Sequence, residues 1–236
     1  MLQPLTDIQL ILWDIDGTLL WPKGSGRAST KLAMIEVFQT DGGIDSHHFG
    51  GKTDWQTLLD LLISEGISPE DIRSGLPAFE AALARHLESI IGDYPVEPCP
   101  AAHNVVTILR DHEFLVQGLV TGNVSSTVPI KLRAAGFDPS WFMVGAFGNE
   151  SPNRNDLPFL ALERAIQRFD RHIRPEQVAV VGDTVADIAC ARALGAVSVA
   201  VKTGYATDPD ELASAQPDYL LDDLSTFLDR VIGLGP

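Results

Sequence analysis

The sequence predicts an α/β fold: a Rossmann-like parallel sheet with helices on both faces, plus a small α-helical cap domain. Three observations carry this. Short apolar runs, most of them rich in Val or Ile, alternate with helix-length segments, the pattern of strands buried on both faces. Gly136 and Gly195 stand just past two of those segments, where a left-handed residue closes a helix. The first two apolar runs are about 100 residues apart, far more than one crossover needs, and the excess reads as helical.

The elements follow in order. Strands are expected at residues 8–13, 114–120, 142–147, 178–181 and 197–201. Helices are expected at 125–135, at 157–169 after Asn155-Asp156, and at 186–194. Strands joined by crossover helices make a parallel sheet. In the insert, Trp55, Leu58, Leu59, Leu62 and Ile63 form one apolar stripe, with Thr53 to cap the helix and Gly66 to close it. Ser68-Pro69-Glu70-Asp71 opens a second, short helix, with Pro at its first position and acids in its first turn. Phe79, Leu83, Leu87 and Ile90 mark a third. Residues 22–26 and 95–100 read as connectors, and Gly24-Ser25-Gly26-Arg27 fits a hinge. The expected division is an α/β core of residues 1–20 and 99–236 and a helical cap of residues 21–98.

Charge narrows the partners. Among 236 residues, 32 Asp and Glu stand against 17 Lys and Arg, for a net charge of −15. A general nucleic-acid or anionic-membrane binder needs a basic surface, so neither partner is expected, although a local basic pocket is compatible. The first apolar run stops at Asp14, which does not suit a signal peptide, and no run is long enough to span a membrane. Two distant cysteines, Cys99 and Cys190, suit reduced thiols in a cytoplasmic protein. Oligomeric state is not legible.

The chemistry lies at three strand ends. The first strand runs into Asp14-Ile15-Asp16-Gly17-Thr18-Leu19, where carboxylates at i and i+2 share a side of extended chain and Gly17 allows a sharp turn. A strand of Ile, Leu and Trp has no packing reason to end in paired acids, so these call for a cation or a crevice. The second strand ends in Thr121-Gly122-Asn123, a hydroxyl and backbone N–H groups able to hold an oxyanion. The fourth ends in Gly182-Asp183-Thr184, with Asp187 one helical turn on. Ligands in open α/β sheets bind beyond the carboxyl ends of strands, so the three clusters converge on one crevice.

Together, Asp-x-Asp-Gly-Thr-Leu, Thr-Gly-Asn and Gly-Asp-Thr-x-x-Asp resemble the haloacid dehalogenase superfamily over nearly the whole chain, and within it the phosphoglycolate-phosphatase-like members. The resemblance implies that the first strand lies between the second and the fourth. It implies a Mg²⁺-dependent phosphatase of a small phosphorylated metabolite, phosphoglycolate-like or a sugar phosphate. Asp14 would be the nucleophile that forms an aspartyl-phosphate and Asp16 the general acid and base. Thr121, Gly122 and Asn123 would hold phosphoryl oxygens, with Thr18 also expected at the substrate. Mg²⁺ would be held by Asp14, the carbonyl of Asp16 and Asp183, with Asp187 in support. Dehalogenase and phosphonate-cleaving members lack an acid at the position of Asp16, which favours phosphate esters. A phosphosugar mutase shares every core motif. A phospho-acceptor signalling domain also clusters Asp and Thr, but lacks an insert of this size.

Two basic residues complete the expected site. The family's third motif usually supplies a Lys shortly before the fourth strand, yet no Lys lies between Lys131 and Lys202. Arg154 falls where that motif should, and a guanidinium can bridge a carboxylate and a phosphoryl oxygen. Gly50-Gly51-Lys52-Thr53 imitates the tail of a phosphate-binding P-loop, but position 46 is Ser and no buried strand precedes it. It reads instead as a cap loop that brings Lys52 over the crevice to meet substrate.

Overall fold

A computed structural model of the protein describes residues 7–234; the outermost ends of the expected core, 1–6 and 235–236, lie outside the described residues. Six parallel strands form the main sheet. They are β1 (Leu10–Trp13), β4 (Val116–Val120), β5 (Val144–Ala146), β6 (Val178–Gly182), β7 (Val197–Val201) and β8 (Tyr219–Leu221). Their order is β5-β4-β1-β6-β7-β8, so β1 lies between the strands expected to flank it. Alternation along β1 sorts its side chains between two cores. Ile11 and Trp13 pack with Leu119, Val181 and Phe227 on one face. Leu10 and Leu12 pack with Val120, Val180 and Leu157 on the other. Trp13 also donates its indole N–H to Gln117, a polar contact that burial of the ring requires.

Helices α4 (Ala102–Arg110), α5 (Val128–Ala134), α6 (Leu157–Phe169), α7 (Val185–Leu194) and α8 (Pro209–Ser214) belong to this core. Helix α5 starts at Val128, three residues later than expected, because Pro129 favours the first turn of a helix. Strand β8 and helix α8 escaped the sequence reading, being too short to carry a period; helix α4 escaped it too, although its buried Ala102, Val105, Val106 and Leu109 fall at i, i+3, i+4 and i+7.

Between β1 and α4 the chain leaves the sheet along β2 (Leu20–Trp21) and returns along β3 (Glu97–Pro98), which pair antiparallel. The intervening helices are α1 (Ser25–Phe38), α2 (Asp54–Leu62) and α3 (Pro69–Ile90). They share a hydrophobic cluster that includes Met34, Leu58, Leu62, Ile72, Phe79 and Leu83 and takes in Val124 from the loop after β4.

Three expectations for this insert are corrected. The Gly24-Ser25-Gly26-Arg27 stretch is no hinge. Gly24 turns with φ of 96° and Ser25 opens α1, its hydroxyl donating to the Pro22 carbonyl. The second and third expected helices are one, a helix of 22 residues that passes through Pro77. Pro inside a helix costs about 3 kcal/mol. The unbroken buried stripe Ile72, Leu76, Phe79, Leu83 and Leu87 outweighs that cost. In α2 the buried face is Thr57, Leu58, Leu61 and Leu62, whereas Ile63 is 50% exposed. Among the described residues no helix is long and apolar enough to cross a membrane.

Candidate active site

The C-terminal ends of β1, β4 and β6 open into a cavity of about 330 Å³ between sheet and insert. Asp14, Asp16, Thr121, Gly122, Asn123, Arg154 and Asp183 line its core side, and Gly26, Arg27, Thr30, Lys52 and Asp54 line the insert side. A volume of this order suits a small metabolite.

Asp14 continues the ladder of β1, its N–H bonded to the Val181 carbonyl. The chain then turns sharply: the Ile15 carbonyl accepts from Thr18, Leu19 and Leu20. Gly17 makes that turn with φ of 90°, and a Cβ there would lie 2.4 Å from the Asp183 carboxylate. Only glycine satisfies both conditions. The turn thereby brings the first and fourth strand ends into contact.

Arg154 ties the acids together. It opens a single 3-10 turn at Arg154–Asp156, is 9% exposed, and donates through Nη2 to Asp14 Oδ1 at 2.8 Å and to Asp187 Oδ1 at 2.5 Å. The other Asp187 oxygen accepts from the backbone and hydroxyl of Thr184, closing a capping box at the start of α7. With both oxygens engaged, Asp187 braces Arg154. One oxygen from each of Asp14, Asp183 and Asp187 lies within 4.8 Å of the others. Burial pushes Asp14 up to about 7, with Asp187 and Asp16 adding to the rise against the pull of Arg154. Burial, then Asp14 and Asp187, raises Asp183 well above the usual carboxylate range. Crowded, buried acids of this kind are relieved by a cation, and hard carboxylate oxygens suit Mg²⁺.

Several expected residues take different posts. Thr18 is fully buried and is not among the cavity-lining side chains; its hydroxyl donates to Asp183 Oδ1 at 3.3 Å, so it positions an acid instead of meeting substrate. Asn123 spends its side chain inside the site, donating to Asp16 Oδ2 at 3.0 Å and to Thr121 Oγ at 2.8 Å. Lys52 reaches the cavity edge, but its ammonium pairs with Asp60 of α2 at 2.7 Å. The carboxylate of Asp16 stays out of the acidic cluster and turns to Lys131 of α5.

That orientation exposes what the sequence reading missed. Lys131 of α5 is 4% exposed and donates to Asp16 Oδ2 at 2.5 Å and to Asn123 Oδ1 at 2.6 Å. It lies on the same helical face as the buried Val128 and Leu132, and a lysine inside an apolar stripe is the signal that could have found it. Asp54, the first residue of α2, is the second. Its backbone N–H bonds the Gly122 carbonyl at 2.7 Å and its carboxylate accepts the Val124 N–H at 2.8 Å. Burial pushes Asp54 up to about 6, opposed by Lys131 and the Val124 N–H. Glu80 of α3 adds a further tie, accepting from Ser125, Ser126 and Asn149. Two buried atoms in the site remain without a partner, Asp16 Oδ1 and Arg154 Nε. An acceptor and a donor left open beside the cavity fit an incoming phosphoryl ester.

The chain matches the family model for haloacid dehalogenase-like hydrolases over residues 11–192, and a HAD-hydrolase-like model over residues 158–227. It is similar to the phosphoglycolate phosphatase of Vibrio cholerae, at 27% identity over 97% of this chain and 99% of that one. The phosphoglycolate phosphatase of Synechococcus elongatus is 25% identical over 96% and 99%. Among solved structures, a hydrolase from Pseudomonas syringae superposes with a TM-score of 0.69 at 23% identity, covering 94% of this chain and 96% of that one.

Proposed function

This chain belongs to the haloacid dehalogenase-like hydrolases, and within them we propose that it is a Mg²⁺-dependent phosphatase of a small phosphorylated metabolite, phosphoglycolate-like or a sugar phosphate. One observation carries the reading: a single buried guanidinium, that of Arg154, joins Asp14 to Asp187 at a cavity whose wall also holds Asp16, Thr121 and Asp183.

Asp14, held through Oδ1 by Arg154, attacks phosphorus with its other carboxylate oxygen. The bond from phosphorus to the ester oxygen breaks as Asp16 gives that oxygen a proton. The phosphoryl group now sits on Asp14 as an aspartyl-phosphate, and one slow displacement has become two faster ones. Asp16 then takes a proton from water, which attacks phosphorus and frees phosphate and Asp14. Arg154 and Thr121 supply donors to the phosphoryl oxygens as charge shifts. Asp14 and Asp183, with the carbonyl of Asp16, would hold Mg²⁺, braced by Asp187. Bound there, the ion neutralises charge between nucleophile and phosphoryl group. Neither cysteine takes part: burial pushes both Cys99 and Cys190 up to about 12, so each is a protonated thiol. Two free, buried thiols fit the cytoplasmic setting that forms part of this proposal.

The test is release of inorganic phosphate from a panel of phosphate esters, with Mg²⁺ and after chelation. Multiple turnovers that stop on chelation support the reading. A rearranged sugar phosphate without phosphate release would make the enzyme a mutase, and capture of one phosphoryl group per chain would make it a phospho-acceptor domain.

A further inference from the structure

Resting on that reading, we propose that Lys131 is a positioning residue that clamps Asp16, so that one defined carboxylate oxygen meets the leaving group. Asp16 carries two very different oxygens. Oδ2 accepts from Lys131 Nζ at 2.5 Å and from Asn123 Nδ2 at 3.0 Å. Oδ1 is buried and has no partner. Asn123 closes a triangle, since its own Oδ1 accepts from Lys131 at 2.6 Å. With Oδ2 held from two sides, the carboxylate cannot rotate without breaking two charge-assisted bonds. Oδ1 is therefore the oxygen that transfers the proton. Its O–H bond breaks as the ester oxygen takes the proton and leaves phosphorus, and the resulting negative charge is shared with Oδ2, beside the ammonium.

The ammonium is built for this post and for no obvious structural one. The Lys131 side chain is 5% exposed, on a helix face whose neighbours are Val128 and Leu132. An aliphatic residue would pack there without the cost of dehydrating a charge. Helix α1 of the insert seals it from above. A Cβ at Gly26 would lie 3.4 Å from Nζ, so the absence of a side chain at 26 lets the insert approach the ammonium closely. The clamp thus joins α5 to the loops after β4 and β1, with α1 of the insert close by.

The experiment compares Lys131→Met and Lys131→Arg on three substrates under saturating Mg²⁺. p-Nitrophenyl phosphate has a leaving group that needs little protonation, ethyl phosphate needs a proton and is otherwise neutral, and 2-phosphoglycolate needs a proton and carries a carboxylate. We expect Lys131→Met to lower kcat at least about tenfold more on both alkyl esters than on the aryl ester, with KM nearly constant. Lys131→Arg should recover part of the loss. Equal losses on all three substrates would reduce Lys131 to a structural role and overturn the proposal. A rise in KM confined to 2-phosphoglycolate would also overturn it, making Lys131 a reader of the substrate carboxylate. A crystal structure of Lys131→Met tests the clamp without any turnover: Asp16 should leave its position, and an unmoved carboxylate would sink the idea. Should Lys131→Met not fold, Lys131→Arg in the same assays and crystals decides, since a clamp of altered length must still single out the alkyl esters. Absence of turnover in the wild type would defeat the phosphatase reading, while the crystallographic result would still judge the clamp.

Discussion

Two clusters of acid and base share one cavity and are assembled in different ways. On one side Asp14, Asp183 and Asp187 gather around Arg154, all of them 9% exposed or less; Asp14 and Asp183 come from strand ends, Asp187 from the first turn of α7 and Arg154 from the 3-10 turn before α6. On the other, Asp16 gathers Asn123, Lys131 and, from the insert, Asp54. Asp14 and Asp183 of the first are placed by the sheet, because parallel neighbours set the register of their own ends. The second depends on how α5 and the insert pack over the sheet. The difference divides the labour. On the proposed reading, the sheet side would hold charge for phosphoryl transfer whatever the substrate, and the side of Asp16 would meet the leaving group, the part that varies between substrates.

The hardest test of the sheet side is Asp14→Asn. An amide cannot attack phosphorus, so turnover should fall by about 10⁴-fold or more while the fold persists. Phosphate-release assays alongside circular dichroism check this, and retained activity on every ester would remove Asp14 from the chemistry.

Arg154→Ala should follow, lowering kcat about 10²- to 10³-fold, the usual scale for one lost transition-state charge contact. It also leaves Asp14 and Asp187 buried without their cation, so the melting temperature should fall too. Arg154→Lys should restore part of both. Steady-state kinetics and thermal melts of the two variants separate catalysis from stability.

Legibility in the sequence follows the same division. The acids of the sheet side were readable because they stand within a few residues of an apolar run: Asp14 after 10–13, and Asp183 and Asp187 after 178–182; Asp16, of the other side, shares the run of Asp14. Even Arg154, without a motif lysine to mark it, could be found by its place between β5 and α6. The neighbours of β1 are those that the resemblance implied, β4 on one side and β6 on the other. The partners that Asp16 takes were not readable. Lys131 was noticed only as the last lysine before a gap, since its meaning comes from Asp16, 115 residues away. Thr18 looked like a substrate contact because of its motif, yet its hydroxyl turns to Asp183. Two helices were expected where α3 runs unbroken through Pro77, and packing on α1 and α2 explains why the helix continues. Local pattern reports what a residue can do, and tertiary contacts decide which partner it does it with.

On the insert side the expected effects are smaller. Lys52 was expected over the substrate, yet its ammonium is paired with Asp60 and is about one-third exposed. To meet an anionic substrate it must leave a partner in a solvated setting, where such pairs are worth about 0.2–1 kcal/mol. Lys52→Ala should therefore raise KM for 2-phosphoglycolate only a few-fold, about 2- to 5-fold on that scale, with kcat unchanged. p-Nitrophenyl phosphate, which lacks the distal carboxylate, should show no change. An equal loss on both substrates would instead mean that Lys52 supports the fold of the loop.

The least conspicuous effect belongs to Asp54 and concerns stability. Burial raises its carboxyl to about 6 in the folded protein, from an ordinary value of 3.8 that the unfolded chain regains. Between these values the native state keeps the proton and the unfolded chain has lost it. The native state therefore binds more protons, and stability falls as pH rises across that window. Below the ordinary value both states are protonated, and above about 6 both are ionised, so the contribution is flat at either end. Asp54→Asn removes the ionisation and keeps an oxygen to accept the Val124 N–H. The melting temperature of the variant should therefore gain on the wild type as pH rises from about 4 to about 6, then hold a constant lead. Other carboxylates titrate in the same range, so the quantity to follow is the difference between the two proteins at each pH, measured by calorimetry in metal-free buffer. A lead that does not grow across the window would mean that the N-terminus of α2 carries an ionised Asp54 at no cost, with the Lys131 ammonium near enough to offset its burial.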